Sequence, residues 1–320
     1  MRRRYQLALA LALVPLAAAG LLVQQYSAGE KEPPGELLRV MEWNICGAAQ
    51  NCQNRGATGA GTSVVRLAEQ VEARHPDLLG VNEICRSQFE ALQRLVSIRG
   101  WRMEGSYAQM HDNVRSCGSD GSYGLAIFSR EPLTAPPKYR AFASTSEEYV
   151  AQGRAEQVRR GVLCAPTTVK YRRVMLCGAH AGTEPEQLAE VQGWFADPAL
   201  FPADLPVVFA GDLNQQPNEA SLAGLYSHTR GEKDTHEPRG RFIEADEGDR
   251  AWFRQGAAGG VRCDAAGVTR CRNGAPTADD GRKIDYIFAT EAHFASPEGR
   301  TEDFPESDHM LYEGTFRFRE

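Results

Sequence analysis

The sequence predicts an α+β domain built on sheets packed face to face, and three observations carry that prediction. Apolar runs of strand length recur at 38–45, 77–83, 123–129, 162–169, 173–179, 206–210, 284–289 and 312–318. Stretches of helical period are fewer and fall between them, a mixture that suits stacked sheets with helices outside. The 320 residues are enough for one large two-sheet unit with a sizeable core. With 42% hydrophobic and 24% charged residues, and Gly and Pro spread throughout, collagen, coiled coil, a polytopic membrane protein and wholesale disorder are excluded. The formal net charge of −6 provides no whole-molecule positive field, so a polyanion would have to be gripped by a local patch.

The first strand, 38–45, leads into a Gly-rich loop at 56–61. Thr62 or Ser63 then caps a helix with Val64, Val65, Ala68 and Val71 on one side, ended by Pro76. The run 77–83 is a short strand finishing on polar residues. Ser87-Gln88-Phe89-Glu90 reads as a capping box for a helix with Phe89, Leu92, Leu95 and Val96 on its apolar face and Gly100 at its end. The runs 162–169 and 173–179 form a hairpin whose turn centres between Lys170 and Tyr171. A helix follows at 185–196, and the strand 206–210 ends at Gly211-Asp212-Leu213-Asn214. The polar, Gly- and Arg-rich stretch 227–282 reads as surface loops and a hairpin over the site. The chain carries no internal repeat and no sign of a second domain.

The N-terminal segment stands apart. Arg2, Arg3 and Arg4 make a basic start, 7–16 is apolar, and Ala17, Ala18 and Ala19 supply the small residues of a signal-peptide cleavage site. Apolar residues continue through Leu21, Leu22 and Val23, so an uncleaved anchor is the alternative. Residues 1–28 are therefore read as a signal peptide or N-terminal anchor and the start of a linker, 29–37 as linker, and 38–320 as one domain. A secreted, extracellular location follows, with attachment to the membrane as its variant. Outside the cytosol the eight cysteines are expected in disulfides, and no CxxC spacing argues for zinc. The hairpin sets Cys164 opposite Cys177. Cys46 with Cys52 and Cys263 with Cys271 would close short loops, leaving Cys85 with Cys117.

Polar residues cluster at the ends of the strands: Asn44, Glu83, His180, Asp212 with Asn214, Asp285, and Asp308-His309. Taken singly, each is an ordinary solvated strand end or loop residue. Together they make the inventory that phosphate chemistry needs. Mg²⁺ takes hard oxygen ligands from one or two carboxylates, and a histidine oriented by an aspartate is a base of near-neutral pKa.

Trp43-Asn44, Asn82-Glu83, Gly211-Asp212-Leu213-Asn214, Ile284-Asp285-Tyr286-Ile287-Phe288 and Ser307-Asp308-His309 occur in that order. They resemble the successive motifs of the endonuclease/exonuclease/phosphatase superfamily, the deoxyribonuclease I-like fold, over 38–318. The resemblance implies a four-layer α/β/β/α sandwich of two mostly antiparallel sheets, with the site at one edge. It implies Glu83 as principal Mg²⁺ carboxylate with Asn44 and Asp308 nearby, Mn²⁺ or Ca²⁺ being alternative cations. Asp212 and Asn214 would position the attacking water and the phosphate, or hold a second metal. Asp285 would pair with His309 as general base, and His180 would donate to the phosphate or leaving oxygen, with the two histidines exchangeable. Either Arg159 or Arg160 matches a phosphate-contacting position.

Cys46 stands where abasic-site endonucleases of the family carry Asp, and His180 where they lack His. Both departures point to the two-histidine branch of secreted deoxyribonucleases, toxin nuclease subunits, sphingomyelinases and inositol-phosphate phosphatases. Between 154 and 173 lie Arg154, Arg159, Arg160, Lys170, Arg172 and Arg173 against the single acid Glu156, read either as a phosphate-backbone grip or as a solvated hairpin face. A lipid-cleaving enzyme would instead expose an apolar wedge, for which Trp252-Phe253 and Trp194-Phe195 are the candidates. The expectation is a secreted Mg²⁺-dependent phosphodiesterase acting on nucleic acid, with no obligate protein partner. The alternatives are a sphingomyelinase-like phospholipid phosphodiesterase, a phosphomonoesterase, and a non-enzymatic binding or toxin-accessory subunit.

Overall fold

The computed structural model describes residues 35–47, 62–112, 114–119, 121–151, 154–227, 237, 239–248, 272 and 274–320. The N-terminal segment, the Gly-rich loop, Trp252-Phe253, Cys52, Cys263 and Cys271 lie outside them.

The first sheet contains β1 (Leu37–Asn44), β2 (Leu78–Cys85), β3 (Glu104–His111), β4 (Tyr123–Ser129), β13 (Phe294–Glu302) and β14 (Leu311–Phe318), in the order β13-β14-β1-β2-β4-β3. The second contains β5 (Lys138–Ala141), β8 (Gly161–Val169), β9 (Arg172–His180), β10 (Val207–Asp212), β11 (Phe242–Glu244) and β12 (Asp285–Thr290), in the order β11-β12-β10-β9-β8-β5. A separate ribbon pairs β6 (Ser146–Ala151) with β7 (Arg154–Val158). Each six-stranded sheet has one parallel pair at its centre, β1 with β2 and β9 with β10, and is otherwise antiparallel. A parallel pair needs a crossover, and helices α1 (Thr62–Arg74) and α3 (Pro185–Ala196) supply the two.

The central strands read as unbroken apolar runs because both of their faces are covered. Val40, Leu78, Leu125 and Ile127 meet Leu163, Leu176, Val208 and Ile287 between the sheets. On the outside of the first sheet, Met41, Trp43, Leu79 and Val81 pack under α1 and α2 (Arg86–Ile98), which contribute Val64, Leu67, Val71, Leu92 and Val96. On the outside of the second, Leu188, Val191 and Phe195 of α3 cover Val207, Phe209 and Phe288. Four layers result, as the resemblance implied. Each fully buried large side chain stabilises the stack by about 1.5–3 kcal/mol.

The hairpin is as read. Lys170 and Tyr171 take left-handed φ of 48° and 62°, the two-residue turn that matches strand twist, and Cys164 pairs with Cys177 in register. Cys164 is bonded to Cys177 and Cys85 to Cys117, both as expected. Cys46 is disulfide-bonded too, while the Cys263 to Cys271 pairing falls outside the described residues.

Three expectations need correction. The helix α2 starts two residues early: Cys85 is its N-cap, and Gln88, not Glu90, turns back to accept the Cys85 amide at 2.8 Å. The stretch 227–282 is not all surface loop, for Phe242 and Ile243 of β11 are buried edge-strand residues and Thr277 is buried beneath the site. The strands β3, β5, β6, β7 and β13 have no counterpart among the expected runs; β3 and β13 bury only a minority of their residues, and β13 carries Pro297 and Gly299.

Candidate active site

The two central parallel pairs end at the same edge of the sandwich. Asn44 lies beside Asn82 in one sheet, and His180 beside Asp212 in the other, with Asp285 paired to Asp212 from the antiparallel side. The carboxyl ends of parallel strands are where open sheets place their ligands, and here four such ends converge.

Backbone geometry at that edge is unusual. Cys46 and Asn214, just beyond the ends of β1 and β10, and Glu83, at the bulge near the end of β2, adopt left-handed φ of 49°, 52° and 54°. Such conformations cost non-glycine residues about 1–3 kcal/mol each and persist only where surroundings enforce them. Gly211 has φ of 151°, and a Cβ there would lie 2.0 Å from the Ala179 carbonyl oxygen.

Asn82 joins the sheets directly. It is buried, donates Nδ2 to the Ala179 carbonyl at 2.7 Å, and accepts the Asp212 amide at 3.1 Å. Asn44 makes a second link, donating Nδ2 to Glu83 Oε1 at 3.0 Å and to Asp212 Oδ2 at 3.1 Å, while its Oδ1 accepts the Cys46 amide. His309 turns Nδ1 to Asp285 Oδ2 at 2.9 Å, leaving Nε2 at 3.5 Å from Asn44 Nδ2 and 3.8 Å from Asp212 Oδ2. Trp43 Nε1 donates to the His309 carbonyl, and Ser307 ties the Asn44 carbonyl to the His309 amide. Thr277 Oγ1 accepts the Asp285 amide.

His180 is fully buried, with Nε2 3.5 Å from Asp212 Oδ2 and 4.0 Å from Glu83 Oε1, and Nδ1 has no hydrogen-bonding partner among the described residues. Asn214 donates to the Ala181 carbonyl at 3.0 Å, and its amide reaches Asp212 Oδ1. Arg160 is buried and donates to the same Ala181 carbonyl, whereas Arg159 is exposed and accepts from the Tyr139 hydroxyl at its carbonyl. Of the two arginines, Arg160 is therefore the one set into the site. Asp308 is half-buried on the turn beside His309, its carbonyl accepting from the Asp279 amide.

The electrostatics follow from crowding acids around two imidazoles. Burial alone would push Asp212 up, yet the His180 ring and the His309 and Arg160 charges hold it well below the usual carboxylate range. Burial would likewise push His309 down, but Asp285, Asp212 and Asp308 together hold it well above an ordinary histidine. Asp285 is raised, by burial and then by Asp212, despite His309. Beneath them Glu42, fully buried between the sheets with neither oxygen hydrogen-bonded among the described residues, is raised by burial and by the Asp285 and Asp212 charges.

One ligand atom from each of Glu83, His180 and Asp212 lies within 4.8 Å of the others, and the same holds for Asp212, Asp285 and His309. Two carboxylates converging from different sheets on one buried imidazole make a donor set that fits a divalent cation.

A family model, Endonuclease/Exonuclease/phosphatase family, matches residues 41–309. The chain belongs to that family. Its members are metal-dependent phosphoric ester hydrolases. No curated protein matches the sequence. Among solved structures, an endonuclease/exonuclease/phosphatase from Beutenbergia cavernae is 21% identical with a TM-score of 0.55, over 88% of this chain and 72% of that one. The human Nocturnin catalytic domain with bound sulfate is 17% identical with a TM-score of 0.55, over 88% and 94%. Danio rerio (D. rerio) TDP2 complexed with a single-strand DNA product is 18% identical with a TM-score of 0.52, over 88% and 99%. At these identities the likeness is one of fold.

Within this family framework, two substrate cues read from the sequence do not survive folding. The basic residues of 154–173 do not form one grip: Arg160 lies at the site, but Lys170 pairs with Asp77 and Arg172 with the Arg319 carbonyl at the turn of the hairpin. Nine strand residues separate those ends, roughly 30 Å. Trp194-Phe195 is no wedge either, because Phe195 is buried against Phe201, Phe209 and Phe242, and Trp194 stacks on Phe142. Trp252-Phe253 lies outside the described residues.

Sequence reasoning gave no role to Asn82, Glu42, Thr277 or Lys283. Lys283 is buried, donates to the Asp285 carbonyl at 3.1 Å and faces Glu244 Oε1 at 3.2 Å and Asp246 Oδ2 at 3.5 Å, so it braces the start of β12. The only signal was its place two residues before Asp285.

Proposed function

We propose that the chain is a divalent-cation-dependent phosphodiesterase that cleaves nucleic acid and is exported from the cell. The observation that carries the chemistry is the His309–Asp285 pair: with Nδ1 held at 2.9 Å by Asp285, Nε2 faces the cluster of Asn44 and Asp212. In this reading His309 Nε2 takes the proton from a water attacking phosphorus in line, and Asp285 fixes its tautomer and balances the charge it gains. Glu83 would hold the cation, with Asp212 facing it from the other sheet and Asn44 and Asp308 nearby as direct or water-mediated ligands, and Mg²⁺ is the one we favour for its hard oxygen donors. When bound, the cation supplies Lewis-acid polarisation of the phosphate. Asp212 and Asn214 orient the water and the phosphate, His180 donates to a phosphate or leaving-group oxygen, and Arg160 offsets phosphate charge.

The nucleic-acid substrate is supported by the nucleases within the family and by the DNA product in the D. rerio TDP2 structure. Export is supported by the basic and apolar N-terminus and by disulfide pairing of every described cysteine. The test is to incubate the purified protein with plasmid DNA, RNA and sphingomyelin vesicles, with Mg²⁺ and with EDTA. Cleavage of DNA or RNA that EDTA stops is expected. Lipid turnover with intact plasmid and RNA would overturn the substrate, and turnover insensitive to EDTA would overturn the cation.

A further inference from the structure

Asn44 and Glu83 stand on neighbouring parallel strands whose ladder runs out at Asn44 and Asn82, and both strands leave that pairing through left-handed residues, Cys46 beyond β1 and Glu83 at a bulge in β2. Two strained exits side by side need something that fixes their separation. Ladder bonds begin the job: the Ile45 amide donates to the Asn82 carbonyl at 3.1 Å and the Gly47 amide to the Glu83 carbonyl at 2.8 Å. Beyond that point β1 has ended while β2 continues to Cys85 against β4, and a side chain takes over the link between them. Gln88, fully buried in the first turn of α2, accepts the Cys85 amide at Oε1 (2.8 Å) and donates Nε2 to the Gly47 carbonyl (3.2 Å). One amide thus spans the exit that follows Asn44 and the exit that follows Glu83. The fit is close: a Cβ on Gly47 would lie 2.2 Å from Gln88 Oε1 and 2.5 Å from the Glu83 carbonyl oxygen.

The geometry points to Gln88 as a positioning residue for the cation site: it touches neither cation nor substrate in this reading, and sets the spacing of Asn44 and Glu83. The inference rests on the proposed function, in which those two residues hold the cation. Partners that orient metal ligands from outside the coordination shell change affinity by about 10- to 100-fold when removed. A purely structural role would lower stability and leave cation affinity in the folded protein alone.

The experiment measures binding of Mn²⁺ alone, by electron paramagnetic resonance, to the full chain and to Gln88→Met, which keeps the volume and removes both hydrogen bonds. Near-UV circular dichroism checks folding. A folded Gln88→Met with Mn²⁺ bound about 10-fold more weakly is the expected result. Gln88→Glu, which keeps the acceptor for Cys85 and the side-chain length but loses the amide donor, serves where Gln88→Met does not fold, with the same expectation. Wild-type affinity in either folded variant overturns the inference alone. Absence of Mn²⁺ binding by the unmodified protein, or binding unaffected by Glu83→Gln, overturns the reading of the site and this inference with it.

Discussion

Asn44 and Asp212 come from different sheets, and the Asn44 amide nitrogen sits 3.1 Å from the Asp212 carboxylate. The same nitrogen reaches Glu83, so one neutral donor lies between two acids. Replacing it by a carboxylate sets three acids together. Asn44→Asp is expected to lower the stability of the cation-free protein by about 1–3 kcal/mol, and to recover more than the wild type when Mg²⁺ is added. Thermal unfolding with EDTA and with Mg²⁺ measures both; an unchanged melting temperature in EDTA contradicts the charge arrangement.

Asp285 is among the acids that hold His309 above an ordinary imidazole. A base must be neutral to act, so activity should rise with pH as His309 loses its proton. In Asp285→Asn that rise moves to lower pH, because a cause of the elevation is gone, while the maximal rate falls by about 10²- to 10⁴-fold. Profiles of kcat/KM against pH for both proteins decide it, and a shift to higher pH is the wrong sign. Without cation, the stabilisation from protonated His309 is complete below about pH 6.5 and is lost as pH climbs through its raised folded value.

Glu42 is buried without a hydrogen bond among the described residues, and burial raises its carboxyl. A carboxyl raised in the folded state costs nothing through ionisation below its unfolded value of about 4.3, and costs stability as pH rises above it. Glu42→Met is therefore expected to stabilise the protein by about 1–3 kcal/mol at pH 7 and by less at pH 4. Urea unfolding at the two pH values tests this, and equal gains at both would rule out the ionisation argument.

Gly211→Ala places a methyl group 2.0 Å from the Ala179 carbonyl and a side chain at φ of 151°. The neighbour is backbone in a central strand and has little room to yield. A loss of about 3 kcal/mol or more is expected, read by denaturant unfolding; a near-neutral result would mean the β9–β10 spacing is softer than it looks.

The strand-end residues were legible because each motif is local: Asp212 and Asn214 are two apart, as are Ser307 and His309. Central strands and the Lys170–Tyr171 turn were legible for the same reason. The links that bring the ends together were not. Asn82 meets Ala179 across 97 positions and Asp212 across 130, distances over which no periodicity carries information. Gln88 was seen, but as an interior residue of a helix cap, since nothing in Ser87-Gln88-Phe89-Glu90 says that Cys85 starts the helix. The basic stretch misled because charge is counted along the chain while a nine-residue strand carries its two ends to opposite sides of the sheet.

His309 lies in the connection between β13 and β14, and β14 pairs with β1, the first strand of the fold. Early and late parts of the fold are therefore joined before the imidazole faces Asn44. The imidazole and the asparagine it faces are translated 265 positions apart, so His309 can serve the site only with the β13–β14 hairpin docked against β1.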